Sequence, residues 1–158
     1  MIERQTGDRT PLHYQRGDWF GKYVLNGLVA LLARLGISLW DSRVLRIRGR
    51  KSGRLYTTPV NLLTIDGQRY LVAPRGHTQW VRNLRAAGDG DLLLGRRVER
   101  FSAVEVPAEH RPPILRAYLR RWKFEVGMFF GGVSADSPEA DLARIASNHP
   151  VFAIDRAP

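Results

Sequence analysis

Apolar positions along the chain change their period at Gly36. From Lys22 to Leu35 they recur at helical spacing, with Leu25, Leu28, Leu32 and Leu35 on one stripe and Asn26 and Arg34 displaced from it. Beyond Gly36 the pattern breaks into short extended runs divided by turn residues, as in an antiparallel sheet. Arg43 to Arg48 alternates as R-V-L-R-I-R, and Arg50-Lys51-Ser52-Gly53 supplies a turn. Tyr56 to Ile65 is rich in β-branched residues, Asp66-Gly67 is a strong hairpin signal, and Gln68 to Pro74 forms the return strand. Arg75-Gly76-His77 interrupts that strand. Thr78 is placed as the N-cap of a helix over Gln79 to Ala87, which ends at Gly88 and turns Trp80, Leu84 and Ala87 to its apolar side.

Asp91 to Leu94 and Arg97 to Val106 read as a strand pair across Gly95-Arg96, stopped by Pro107. A helix is predicted over Glu109 to Phe124. Its prolines, Pro112 and Pro113, are tolerated only in the first turn, and Ile114, Leu115, Tyr118, Leu119 and Trp122 share one face. Gly127 to Gly132 reads as loop, Pro138 to Asn148 as a short helix and Pro150 to Ile154 as a closing strand. Six or so antiparallel strands with flanking helices predict an α+β chain built on a small barrel or strongly curled sheet. A doubly wound fold would need a glycine fingerprint between strand and helix, and neither G-x-G-x-x-G nor a P-loop occurs. With 158 residues there is room for one domain: residues 1–21 as an N-terminal extension, and 22–158 as a single unit that includes the helix over 22–35.

Composition is that of a globular chain, 44% apolar and 25% charged. Twenty-five Lys and Arg against fifteen Asp and Glu leave a net charge of +10, so part of the surface favours anionic partners: nucleic acid, an anionic membrane face or a phosphorylated cofactor. The absence of cysteine removes disulfides, thiolate metal sites and cysteine nucleophiles, and fits a cytoplasmic protein. The N-terminus does not read as a secretory signal. Only Tyr23 to Ala33 is uncharged, too short to span about 30 Å of hydrocarbon. The helix over 22–35 either packs on the domain or lies at a membrane interface, anchored by Lys22, Arg34, Trp19 and Trp40.

Between Arg43 and Arg54 stand six basic residues and no acidic one: Arg43, Arg46, Arg48, Arg50, Lys51 and Arg54. Such density repels itself unless an anion is present. Arginine forks, the Ser52 hydroxyl and turn amides together could hold a phosphate; a solvated hairpin tip or a nucleic-acid groove has the same composition. His13, His77, His110 and His149 show no metal-ligand spacing, and no Ser/His/Asp arrangement can be drawn. His77 follows a strand and precedes a helix, where loop residues often face a site.

The run Leu45-Arg46-Ile47-Arg48-Gly49-Arg50-Lys51-Ser52-Gly53, then Thr57-Thr58-Pro59-Val60, Tyr70-Leu71-Val72-Ala73, Gly76 and Trp80-Val81-Arg82-Asn83-Leu84-Arg85-Ala86-Ala87-Gly88, resembles the deazaflavin (F420)-dependent nitroreductases and quinone reductases in order and spacing. The resemblance covers Trp19 to Val106 and resumes at His149-Pro150-Val151-Phe152. It implies a split β-barrel that holds coenzyme F420, an 8-hydroxy-5-deazaflavin, with FMN as the alternative. It implies that Arg50, Lys51, Ser52 and Arg54 hold the cofactor's phosphate and acidic tail. Ala73, Pro74, Arg75, Gly76 and His77 would lie along the ring, Trp80 and Asn83 would shape the floor, and Thr57, Thr58 and Pro59 would run beside the groove. Tyr56 stands where many relatives carry an arginine, and the loop before Trp80 is short.

The implied reaction is hydride delivery to a quinone, nitro or other activated apolar acceptor. His77, Tyr118 or a backbone N–H would stabilise charge developing on the acceptor oxygen. Dimerisation is usual for split barrels, so a homodimer is part of the expectation. Two rivals are a lipid or fatty-acyl binding protein peripheral to the inner face of the cell membrane, and a basic nucleic-acid binder with Tyr56 and Trp40 as stacking surfaces. Arg111 and Arg116, remote in sequence from the glycine turn, are expected to be silent in cofactor binding.

Overall fold

The structure, a computed structural model, describes residues 42–158. The helix over 22–35 lies outside them. Six antiparallel strands form a closed barrel: β1 (Ser42–Arg48), β2 (Leu55–Ile65), β3 (Gln68–Val72), β4 (Asp89–Leu94), β5 (Arg97–Glu105) and β6 (Val151–Arg156). Their order around the barrel is β1-β2-β3-β6-β5-β4, and β4 closes on β1 through pairs such as Leu45↔Leu92. The hairpins turn where the sequence places them, with Asp66 and Gly67 both at positive φ. β4 starts two residues before the predicted Asp91 and β6 runs two past Ile154, because Gly90 pairs with Phe101 and Arg156 also pairs with it at the two borders of β5.

Alternation decides which side chains fill the lumen. Leu45 and Ile47 from β1, Leu62 from β2, Leu71 from β3, Leu92 from β4, Phe101 from β5, and Phe152 and Ile154 from β6 form one buried cluster. The neighbouring residues Leu63, Val72 and Val151 face outward and join a second cluster. Where both faces are covered, adjacent apolar residues replace clean alternation, as at Leu62-Leu63, Leu71-Val72 and Val151-Phe152.

Three helices complete the unit: α1 (Gln79–Ala87), α2 (Pro112–Val126) and α3 (Glu139–Ile145). α1 leaves the end of β3 and sends Val81 and Leu84 into the lumen cluster, so it plugs one mouth of the barrel. It ends on Gly88 at φ 73°, whose N–H donates to the Leu84 carbonyl at 2.8 Å. α2 covers the outer cluster with Ile114, Leu115, Tyr118, Leu119 and Trp122. It starts at Pro112, later than the predicted Glu109, because two residues without N–H groups can stand only in a first turn; a 3-10 turn over Ala108–His110 precedes it. The backbone leaves helical geometry at Trp122 (φ −122°, ψ 26°). Gly127–Phe130, predicted as loop, forms a 3-10 turn that buries Phe130.

Leu84 is 1% exposed at the plugged mouth. Leu84→Ala removes the plug's central contact and is expected to cost about 2–5 kcal/mol of unfolding free energy, read by urea denaturation; an unchanged midpoint would show that α1 does not seal the barrel.

Candidate functional site

The pieces that the sequence singles out meet at that plugged mouth. β1 ends there and β2 begins there, so the turn Gly49–Gly53 lies beside α1 and the segment Ala73–Thr78 that leads into it. Gly49 N–H donates to the Arg54 carbonyl at 2.6 Å and Gly53 N–H to the Gly49 carbonyl at 3.0 Å, which closes the turn on itself. Gly53 sits at φ 71°, a conformation that glycine adopts without strain. A Cβ on Gly49 would stand 2.5 Å from the Tyr56 ring, so the aromatic ring lies directly over the turn.

The turn is tied to α1 through one arginine. Arg50 donates from its backbone N–H to Asn83 Oδ1 at 3.2 Å, and from Nη1 to the same oxygen and to Gln79 Oε1, both at 2.9 Å. Asn83 is 5% exposed, so its amide serves this clamp from within the fold. Ser52 Oγ pairs with the Tyr56 hydroxyl at 3.2 Å and accepts the Arg54 N–H. Tyr56 thus replaces an expected arginine with a ring that covers the turn and engages its serine. Lys51 and Arg54 are exposed, and among the described residues neither makes an ion pair.

The six basic residues of the run do not act together. Arg43 belongs to the opposite end of the barrel. Arg46 is neutralised across the sheet by Asp91, with Nε and Nη2 at 3.0 and 2.8 Å from Oδ2. Arg48 donates to the Gly53 carbonyl at 2.9 Å. The self-repelling density read from the sequence therefore reduces to Arg48, Arg50, Lys51 and Arg54 around one turn, with no carboxylate bonded to them among the described residues.

β2 lies open beside this turn. Leu55 to Asn61 pairs with β1, but β3 is only five residues long and pairs with Leu62 to Ile65 alone. Among the described residues no strand pairs with the other edge of Leu55–Asn61, and Thr57, Thr58 and Pro59 line it. Pro59, which has no N–H to donate, fits at an edge and not in a central strand.

The segment from Ala73 to Thr78 is held from behind. Ala73 N–H donates to the Pro150 carbonyl at 2.9 Å, and Gly76, at φ 81°, packs so that a Cβ would stand 3.0 Å from the Asn148 carbonyl. Pro74 is half-buried, and Arg75 places its guanidinium 4.9 Å from the Phe129 ring centre. Arginine only donates, so His77 Nδ1 accepts from Arg85 Nη1 at 3.1 Å and Nε2 carries the proton given to the Ser147 carbonyl, also at 3.1 Å. Both ring nitrogens of His77 are engaged. Trp80 is half-buried against Phe152, with ring centres 6.1 Å apart. Tyr118 is 2% exposed and lies behind the loop: it packs on Phe130, Phe130 stacks on His149 at 4.2 Å, and His149 Nδ1 meets the Ala73 carbonyl at 3.4 Å. Thr78 occupies the N-cap position without a side-chain cap bond, and its hydroxyl is buried with no hydrogen-bond partner among the described residues.

Sequence reasoning missed the supports. Glu105 chelates Arg85 at 2.6 and 2.7 Å and also bonds Arg111 at 3.0 Å. The Arg85 hydrogen bond, foremost, holds the Glu105 carboxyl below the ordinary range against the opposing effect of burial, and Arg111 and His77 add to the lowering. Arg111 itself is buried, donating to the Val106 and Ala146 carbonyls, so it is a structural residue. Nothing in local spacing marks these partners, since each is brought in by a distant strand or turn.

A family model described as F420H(2)-dependent quinone reductase matches residues 31–125. The chain belongs to that family, whose chemistry is F420H2-dependent oxidoreduction. Among solved structures, one described as an F420-H2 dependent reductase is 19% identical with a TM-score of 0.53, covering 73% of this chain and 94% of that one. A structure described as a domain-swapped dimer is 17% identical with a TM-score of 0.52, covering 87% and 98%. A protein of unknown function from Agrobacterium tumefaciens is also 17% identical with a TM-score of 0.52, covering 73% of this chain and 48% of that one. These likenesses establish the split-barrel fold. No curated protein matches the sequence.

Burial, foremost, lowers the His149 pKa below the ordinary 6.5, against its bonds to the Ala73 and Pro74 carbonyls. A histidine kept neutral in the fold contributes stability that is complete above 6.5 and lost as pH falls below it, because the unfolded chain takes up the proton first. His149→Gln is expected to flatten the loss of thermal stability between pH 7 and 5; an equally steep loss in the variant would remove His149 from the account.

Proposed function

We propose that this chain is an F420H2-dependent reductase whose cofactor lies across the plugged mouth, its anionic arm on the Gly49–Gly53 turn. The observation that carries this reading is the set of cations at one self-closed turn with no carboxylate bonded to them among the described residues. The cofactor F420 bears a phosphate and an acidic tail, and its reduced ring supplies a hydride to an acceptor when bound. The donor set fits such a group: Arg48, Arg50, Lys51 and Arg54 offer charge-assisted donors, and the buried Thr78 hydroxyl lacks a partner.

The chain's own residues position and shield. The Arg50–Asn83–Gln79 clamp fixes the turn against α1, so the cations are held before any ligand arrives, which lowers the ordering cost of binding. Among the described residues nothing accepts from the Arg75 and His77 amides, which leaves them to bond the edge of a ring. The His77 side chain, engaged at both nitrogens, keeps this segment in place. Tyr118 supports from the core. Thr57, Thr58 and Pro59 border the groove, and Trp80 closes its floor. The acceptor is a quinone, nitro or similar activated apolar compound, and the exposed Leu55 and Tyr56 are the apolar surface nearest the turn. A homodimer belongs to the same reading, since one structural neighbour is a dimer. No helix among the described residues is long and apolar enough to cross a membrane.

Spectroscopic titration with F420, followed by turnover of menadione with the reduced cofactor, tests the reading. Lys51→Ala with Arg54→Ala is expected to weaken cofactor binding at least about tenfold, whereas exposed Arg120→Ala on α2 leaves it unchanged. Absence of binding by the intact protein, or equal losses from both variants, would reject a cofactor site at this turn.

A further inference from the structure

The mouth opposite the glycine turn carries a second charged constellation. Strand alternation puts Arg43 on the face of Leu45, Arg69 on that of Leu71, Arg156 on that of Ile154, and Arg97 and Glu99 on that of Phe101. The pairings agree, since opposed residues share a face: Arg43↔Val60, Leu92↔Glu99, Leu94↔Arg97 and Phe101↔Arg156. Four guanidiniums and one carboxylate thus converge from four strands on the end of the lumen, where, with Arg100, which pairs with Asp89, they line a cavity of about 440 Å³.

Glu99 bonds two of the four. It pairs with Arg69 and, at 2.7 Å, with Arg156. Burial would raise its carboxyl, but hydrogen bonds from Arg156 and Arg69 together hold it below the ordinary range, so it stays ionised, while among the described residues no carboxylate is bonded to Arg97. Arg43 turns Nη1 to the Ser42 carbonyl at 3.0 Å. Burial, foremost, lowers its basicity; Glu99 opposes this, and Arg69 and Arg97 add to it. Like charges confined in a partly buried ring raise the free energy of the empty site and lower that of an anion within it. Arginine's planar fork suits an oxygen-rich ligand.

We infer that this mouth binds a small multivalent oxyanion, a phosphate or polycarboxylate, between Arg43 and Arg97 beside the Arg69–Glu99–Arg156 bridge. The site is distinct from the glycine turn, which lies at the other end of the barrel, and the inference stands whether or not a cofactor binds there. The cavity lies within the range of small-molecule sites, about 300–1,000 Å³.

Calorimetric titration of the full chain with pyrophosphate and with citrate, at constant ionic strength, tests it. Saturable binding of at least one anion is expected, weakened at least about tenfold by Arg97→Gln and by Arg43→Gln, and tightened by Glu99→Gln, which removes the competing carboxylate. Because tightening requires a folded barrel, the Glu99 variant separates lost binding from lost structure. Preference for pyrophosphate identifies a phosphoryl ligand, and preference for citrate a carboxylate one. Absence of saturable binding by either anion overturns the site. So does binding that ignores both Arg97 and Glu99, or that disappears only in Lys51→Ala with Arg54→Ala.

Discussion

A six-stranded barrel that closes on itself has a lumen filled by its own side chains, and this leaves chemistry only at the mouths and along unpaired edges. Here Leu45, Leu71, Phe101, Phe152 and Ile154 pack the middle, and α1 drives Val81 and Leu84 into one end. That plug fixes the site. α1 carries Gln79 and Asn83 to within hydrogen-bond reach of Arg50, so one short helix both completes the core and sets the position of the basic turn. Shortness of β3 does the rest, since it leaves Leu55–Asn61 of β2 unpaired on one side and opens an edge where a flat ligand can lie.

The elements were legible in the sequence because each is punctuated locally. Asp66-Gly67 marks its hairpin, Gly88 its helix end and Pro107 its strand end, and the alternation of Arg43–Arg48 announces a strand with one apolar face. Boundaries moved where the deciding contact is distant: β4 extends back to Asp89 only because β5 lies beside it. The proline pair shows the converse, since Pro112 and Pro113 lack donors and so set the start of α2 by themselves.

The site was legible as a set of segments and not as a network. Ordering of the basic turn, the TTP strand and the W-x-x-N-L-R helix carries the family, and the structure places all three at one mouth. Which charges remain available there could not be read, because Asp91, the partner of Arg46, is on a strand that follows α1, and Arg43 faces the other end of the barrel. The backing of Ala73–Thr78 was equally hidden. It is made of carbonyls at Ser147, Asn148 and Pro150 and of the His149 ring, and only folding brings these near residues seventy or more positions earlier. Thr78 shows why local rules fail at such a place: it stands at an N-cap, yet its hydroxyl is buried and makes no cap bond.

Net charge takes on a meaning once its carriers are located. Asp89, Asp91, Glu99 and Glu105 each bond an arginine across strands or between strand and helix, and Glu99 and Glu105 each hold two. Those pairs neutralise the barrel wall and brace it, as Arg111 does from within. Beyond them, Arg48, Arg50, Lys51 and Arg54 stand at one end of the lumen and Arg43 and Arg97 at the other, with an apolar core between. One cluster stands on an open turn clamped to α1, and the other on a ring of strand-borne guanidiniums. A single diffuse field would treat every anion alike, whereas two clusters of different shape on opposite ends of a packed lumen can select by geometry as well as by charge.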